Sequence, residues 1–121
     1  MKKPTIFERY GGFTKVSRVV MGFYENVLGS PVLSPYFANT DMKRLIDHQT
    51  KFFAYLMGGP VSYTNEHIER VHAHLGITEA AFYESVALLN ETLEDFDFDD
   101  EDIQLIEDEF TSRKNYIVTR S

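Results

Sequence analysis

The segment 41–56, DMKRLIDHQTKFFAYL, decides the fold class, because its apolar residues recur with a helical period. At about 100° per residue, five side chains share one arc of about 100° on a helix, namely Leu45, His48, Gln49, Phe52 and Leu56. The run Asn39-Thr40-Asp41 precedes them and is typical of a helix N-terminus, so a helix is predicted from there to about Met57.

The same period extends along the rest of the chain and predicts further short helices. A helix is expected from roughly Gly12 to Leu28, and Thr78 is expected to cap a later one. The predicted buried stripes are Val16, Val19, Val20, Phe23 and Val27, then Phe82, Val86, Leu89 and Leu93, and then Ile103, Ile106, Phe110 and Ile117. No segment alternates with a period of two, so the predicted fold class is all-α.

Length, charge and composition limit the function classes. A chain of 121 residues with 43 % apolar residues fits one domain over residues 1–121. The net charge of −7 argues against nucleic acid and anionic membrane surfaces as partners. No apolar run is long enough to span a bilayer, and the N-terminus lacks a secretory pattern. Without Cys there is no thiolate metal site and no thioether-linked haem, and a cytoplasmic location is expected.

Two of the four histidines stand close together in residues 68–77, IERVHAHLGI. On a helix His72 shares a face with Ile68, whereas His74 points about 200° away, so the pair is not a metal clip. His72 is therefore expected to face inward and His74 outward, and His67 is expected to be exposed.

The inward face of His72 leaves two interpretations open. Either the imidazole is a core residue bonded to a backbone carbonyl, or it is a ligand. Gln49 on the inward arc and Tyr24 beside Phe23 add polar groups that need partners when buried. Such a set suits a flat apolar cofactor with a central metal, namely haem held by one imidazole. A buried Tyr–Gln–His network in a simple helical bundle is the alternative.

Several short motifs, in this order and at this spacing, are similar to one known family. They are Gly11-Gly12, Phe23-Tyr24, the run 36–42 (YFANTDM), Gln49, Phe52-Phe53, Gly58-Gly59-Pro60, Tyr63 and Val71-His72-Ala73. From about Phe7 to Val118 the chain resembles the truncated haemoglobins, most closely their group I. Asn65 and His74 depart from the family's usual residues, which affects the loop before His72 and not the ligation.

The resemblance implies a two-on-two helical sandwich that encloses haem b, bound without a covalent link. His72 would be the proximal iron ligand, and Tyr24 and Gln49 the distal pair that contacts the bound gas. Phe37 would pack on the haem face, and Leu45 would form an apolar gate. The implied pocket wall comprises Phe23, Phe52, Phe53, Leu56, Ile68, Ile77, Phe82 and Val86, and the implied propionate neighbours are Thr40, Arg44 and Tyr63.

His48 is a second candidate iron ligand. In cyanobacterial members of the family a histidine at the matching place is the sixth ligand, which would make this site bis-histidyl. The alternative is that His48 leans toward solvent or a propionate.

Three functions follow from these interpretations. The resemblance implies a haem protein that binds O2, NO and CO, with NO dioxygenation or related redox chemistry where a separate reductase supplies electrons. An alternative is a bis-histidyl haem sensor or electron-transfer protein. A third hypothesis is a helical interaction module without a cofactor, in which Tyr24, Gln49 and His72 satisfy one another. Catalysis by this chain alone is not predicted.

Overall fold

The computed structural model describes residues 4–73 and 75–118, most of which lie in α-helices. The helices are α1 (Ile6–Arg9), α2 (Gly12–Leu28), α3 (Met42–Leu56), α4 (Asn65–His72), α5 (Glu79–Asp95), α6 (Asp100–Thr111) and α7 (Lys114–Ile117). A 3₁₀ helix, Ser34–Phe37, connects α2 to α3. The predicted helices from Gly12 to Leu28 and to about Met57 are thereby confirmed as α2 and α3.

The four longest helices pack as two pairs, α2 with α3 and α5 with α6. The pairs contact each other through α2 and α5 and through α3 and α6. Near-parallel rings join them at the centre: Phe110 lies 6.0 Å from Phe53 and 5.2 Å from Phe82, measured between ring centroids. This arrangement confirms the predicted two-on-two sandwich.

Within the described residues, none of the helices combines the length and the apolar character that crossing a bilayer requires.

Four helices begin at a side-chain cap: Thr5 caps α1, and three further residues cap α3, α4 and α5. The side chains of Asp41, Thr64 and Thr78 each accept a hydrogen bond from the backbone N–H three residues later, at 3.3, 3.1 and 3.1 Å. Each such cap is worth about 1 kcal/mol. The cap predicted at Thr78 is confirmed, and Asp41 is the capping residue of the run 39–41. These caps fix where α3 and α4, the helices that border the functional site, begin.

A glycine pair turns the chain sharply after α3. Gly58 has a φ of +86°, which side chains disfavour. At Gly59 a Cβ atom would lie 2.9 Å from the carbonyl oxygen of Ala54 and 2.9 Å from the ring of Phe7. Only glycine fits there, because the loop packs directly against Phe7 of α1 before it leads toward α4.

A buried carboxylate ties α1 to the N-terminus of α6. Asp102 accepts two hydrogen bonds from Arg9, at 2.6 and 3.0 Å, and one from the hydroxyl of Tyr10 at 2.7 Å. Tyr10 stacks on Phe98 at 3.9 Å between ring centroids. The hydrogen bonds from Arg9 are the main cause of a lowered pKa at Asp102.

Replacing Asp102 with asparagine is expected to lower the free energy of unfolding at pH 7 by about 2 kcal/mol. Because the folded pKa is lowered, the carboxylate stabilises the protein fully above the ordinary pKa of aspartate. That contribution disappears as the pH falls through the folded value. In urea titrations, the difference between the two proteins should therefore shrink below about pH 4. The exposed neighbour variant Asp100→Asn is the control, and a pH-independent difference for Asp102→Asn would contradict the prediction.

Candidate functional site

Helix α4 holds His72 at its C-terminal end in a fixed orientation. The Nδ1 atom of His72 lies 2.7 Å from the carbonyl oxygen of Ile68, which is itself buried. A carbonyl oxygen only accepts, so Nδ1 is the donor in this contact. The same Nδ1–H bond to a carbonyl stands behind many metal-bound imidazoles, where it orients the ring and makes Nε2 more basic.

Helix α2 contributes Tyr24, whose side chain is buried. Its ring makes edge-to-face contacts with Phe23 at 5.1 Å and with Phe37 at 5.6 Å between centroids. Burial raises the pKa of Tyr24 far above its ordinary value, so the phenol keeps its proton. Among the residues that the structure describes, none forms a hydrogen bond with the Tyr24 hydroxyl. Tyr24 is therefore a buried, protonated hydroxyl that lines a cavity.

Helix α3 presents a mixed face toward Tyr24 and His72. Phe52 is buried on this face, and Leu45 and Gln49 are half-buried. In residues 4–73 and 75–118, the amide of Gln49 also has no hydrogen-bond partner. The face thus combines apolar surface with one polar side chain that lines a cavity.

Two adjoining cavities lie between these helices. The inner cavity has a volume of about 210 Å³ and is lined by Tyr24, Gln49 and His72 among others. The mouth cavity has a volume of about 360 Å³ and shares Leu45, Gln49 and His72 with it. Small-molecule and cofactor sites span about 300–1,000 Å³, so the two cavities together have the size of such a site.

The mouth cavity is bordered by basic and aromatic side chains. Arg44 and His48 are exposed there, and Thr40 is exposed at the border of both cavities. Tyr63 is half-buried against Phe52, at 5.9 Å between ring centroids, and burial raises its pKa. The mouth therefore offers positive charge and hydroxyl groups at the edge of an otherwise apolar space.

The expectation that His67 is exposed is wrong. Its ring is half-buried and lies 5.5 Å from the ring of Tyr63, at the border of the mouth cavity. The helical wheel of α4 alone could not reveal this contact, because Tyr63 belongs to the loop that precedes the helix. His74, expected to point outward, lies outside the described residues.

The structure brings most of the predicted site residues to the two cavities. The inner cavity is lined by Phe23, Tyr24, Phe37, Thr40, Leu45, Gln49, Phe52, His72, Ile77 and Phe82, and the mouth cavity additionally by Arg44, His48, Tyr63 and Ile68. Phe53, Leu56 and Val86 do not line either cavity. Phe53 shows why: its ring packs on Phe23 and Phe110 in the core behind the wall.

Some lining residues were not found from the sequence. They include Tyr36, Ser85, Phe110 and Ile117. The hydroxyl of Tyr36 donates to the carbonyl oxygen of Gly76 at 3.5 Å and so connects the 3₁₀ helix to the turn after α4. Tyr36 directly precedes Phe37, which was a usable signal. No local pattern could show that the last two helices reach a site formed by α2, α3 and α4.

The donor set fits a haem group. One imidazole with a fixed tautomer, a protonated phenol and an amide converge on an inner cavity whose walls are mainly Phe, Val, Leu and Ile. No cluster of three or more metal-binding side chains exists in the described parts of the chain. A metal held by a porphyrin and one imidazole suits this site better than a metal held by side chains alone.

Comparisons with known proteins agree with this chemistry. The family model for bacterial-like globins matches residues 5–118. A group 1 truncated hemoglobin of Tetrahymena thermophila is 30 % identical over 100 residues, which cover 83 % of either chain. One from Mycolicibacterium paratuberculosis is 42 % identical over 74 residues, 61 % of this chain and 54 % of that protein, so the match spans about half of that relative.

Solved structures show the same architecture. The Fe(III) form of the truncated hemoglobin from Tetrahymena pyriformis superposes with a TM-score of 0.86 at 26 % identity, covering 95 % of this chain and 98 % of that one. A 2/2 hemoglobin from a Synechococcus species, in the cyanomet state with covalently attached heme, has a TM-score of 0.87 at 24 % identity and covers 97 % and 100 %. The fold, the site and these relatives lead to one conclusion: the chain belongs to the bacterial-like globins and, within them, to the group I truncated haemoglobins.

Proposed function

We propose that this globin binds haem b without a covalent link and captures O2, NO and CO at the iron, in the cytoplasm. Membership in the globin family implies haem-based gas binding. One observation of the site carries the proposal: the imidazole of His72 and the protonated hydroxyl of Tyr24 line the same inner cavity.

His72 would hold the iron from the proximal side. Its Nδ1–H donates to the carbonyl of Ile68, which orients the ring and raises the basicity of Nε2, the atom that would bind the metal. When bound, haem supplies an iron atom with an open coordination position to which a diatomic gas attaches.

Tyr24 and Gln49 would act on the gas ligand as hydrogen-bond donors. Hydrogen bonds are stronger in a water-poor pocket than in water, and the apolar wall around Tyr24 provides such surroundings. The raised pKa keeps the Tyr24 hydroxyl protonated throughout the physiological pH range. Leu45, between the two cavities, would exclude water rather than add a third donor.

Arg44, Thr40 and Tyr63 would bind the carboxylates of haem at the mouth. A guanidinium suits carboxylates because its N–H groups match their geometry. Tyr63 is held by aromatic contacts on two sides, with Phe52 and with Tyr55 at 5.7 Å between centroids.

We extend the proposal to NO dioxygenation, in which NO, O2 and one electron yield nitrate. The chain contains no flavin or nicotinamide motif, so the electron would come from a separate reductase. In this reaction the residues of the inner cavity would orient O2, while the reductase restores the ferrous state of iron.

Visible spectra of the purified protein test the proposed function. A Soret band in the ferric, ferrous and CO-bound forms is expected, with a shift on addition of CO. A colourless protein that takes up no added hemin would instead support a cofactor-free helical module.

A second function is favoured by His48, which borders the mouth cavity together with His72. A bis-histidyl site would suit a haem sensor or an electron-transfer protein, because His48 would have to leave before a gas binds. If His48 is the sixth ligand, the ferric spectrum shows low-spin bands that disappear in His48→Ala. A high-spin ferric spectrum in the unaltered protein would exclude this function. His67→Ala is the control, since its ring borders the same cavity from α4.

A further inference from the structure

The charges of this protein are separated along the chain, although the net charge is −7. Residues 4–60 contain six Lys or Arg and four Asp or Glu, whereas residues 61–118 contain three and fifteen. Helices α1–α3 therefore carry a small positive excess, and the segment 61–118 carries the net negative charge. Such a distribution orients an approaching charged protein before contact.

An open groove of about 780 Å³ lies on the positive side, between α2 and α3. Phe13 and Ser17 line it from α2, and Lys43, Arg44 and Lys51 line it from α3. Within the described residues no carboxylate forms an ion pair with Lys43 or Arg44. Lys43 and Arg44 therefore present their charges to the groove without an ion-pair partner among the described residues.

Two carboxylates also line the groove, and both are already engaged. Asp41 caps α3 by accepting the backbone N–H of Arg44 at 3.3 Å. Asp47 lies 3.9 Å from the ammonium of Lys51, one turn further along α3. They lower the positive charge of the groove but do not reverse it.

The groove also contains an exposed aromatic side chain. Phe13 is 42 % exposed, and its ring is held edge-on against the ring of Phe7 at 4.8 Å between centroids. Aromatic residues and Arg are enriched in protein–protein interfaces, so Phe13 adds apolar contact area beside Arg44.

The groove adjoins the mouth of the proposed haem pocket. Asp41 and Arg44 line both the groove and the mouth cavity. A protein that covers the groove would therefore lie next to the mouth of the proposed haem pocket.

We propose that this groove docks an acidic one-electron donor protein, which reduces the ferric iron after gas chemistry. This inference rests on the proposed haem function. The donor loses one electron and iron passes from the ferric to the ferrous state, so no proton or atom is transferred. A nucleic acid or an anionic membrane is disfavoured, because an extended polyanion would also meet the acidic helices α4–α7.

Stopped-flow reduction of the haem-loaded ferric protein tests the proposal, with a reduced acidic plant-type [2Fe–2S] ferredoxin as the donor. Lys43→Glu and Lys51→Glu are compared with Lys15→Glu. The substitution Lys15→Glu causes the same change in net charge. The ammonium of Lys15, however, lies 5.4 Å from the centroid of the Phe96 ring, and Lys15 does not line the groove. At an ionic strength near 10 mM, the rate of each groove variant should fall to about one third of that of the unaltered protein or lower. Lys15→Glu should react nearly as fast as the unaltered protein.

Lumiflavin semiquinone, a small one-electron donor that is uncharged at neutral pH, should reduce all four proteins at the same rate. Equal slowing by ferredoxin in all three variants, or a rate that is independent of salt, would overturn the docking groove. A salt-sensitive dimer that Lys43→Glu dissociates would also overturn it, because the groove would then bind a second copy of this chain.

CO binding is measured first on each protein. Absence of CO binding contradicts the haem function itself, whereas normal CO binding without the charge effect contradicts the docking groove alone.

Discussion

Replacement of His72 with alanine is expected to reduce haem affinity by more than about 100-fold and to abolish the spectrum of an imidazole-bound iron. Loss of a partner behind a metal-bound imidazole costs about 10–100-fold, and loss of the imidazole itself costs more. The measurement is the rate of hemin transfer to an excess of a competing apoglobin, together with the ferrous and CO-bound visible spectra.

Added imidazole provides the control for this variant. A free imidazole molecule fits the space left by the side chain, and it should restore the imidazole-bound spectrum if only the ligand was lost. Circular dichroism of the apoprotein should be unchanged, because the buried residue of α4 is Ile68 and not His72. Retention of haem with an unaltered proximal spectrum in His72→Ala would refute the assignment of the proximal ligand.

Replacement of Tyr24 with phenylalanine is expected to accelerate O2 dissociation at least tenfold, while CO dissociation changes much less. A tenfold effect corresponds to about 1.4 kcal/mol, the size expected for one hydrogen bond in a pocket that excludes water. O2 withdraws more negative charge from iron than CO does, so a donor stabilises O2 more. The substitution leaves the aromatic contacts with Phe23 and Phe37 in place.

Flash photolysis and ligand-replacement kinetics measure both rates, and Tyr36→Phe is the matched control. Tyr36 lines the same inner cavity, but its hydroxyl donates to the carbonyl of Gly76. The control variant should therefore retain slow O2 release. Equal acceleration of O2 and CO release in Tyr24→Phe would show that the hydroxyl acts through pocket volume and not as a donor.

The sequence was sufficient for the helices because their signals are local. The apolar period located α2 and α3, and the cap at Thr78 located the start of α5, since capping depends on a residue and its neighbour three positions later. The inward orientation of His72 and Gln49 followed from the same periodicity, and both line the inner cavity.

Contacts between distant segments were not accessible in this way. Arg9 and Asp102 stand 93 positions apart, and no periodic pattern connects an Arg near the N-terminus to an Asp within an acidic run. His67 was misplaced for a related reason, because its burial depends on Tyr63 in the preceding loop. Phe53 was assigned to the pocket wall by the family resemblance, which did not distinguish a residue that lines the cavity from one in the core behind it.

The net charge of the whole chain concealed the uneven distribution of charged residues along it. The value of −7 describes the whole chain, whereas the positive excess lies within residues 4–60. A count by segment would have revealed it before any coordinates, but only the fold places Phe13 and Lys43 on the same groove.

The shortness of α4 has a consequence for how this protein persists in a cell. A helix of eight residues with one buried side chain is too short to be stable by itself and depends on what packs against it. Bound porphyrin would supply that packing, and any ligand that binds only the native state raises its stability by mass action. Loading with porphyrin would thus raise the fraction of the polypeptide that stays folded and resists proteolysis.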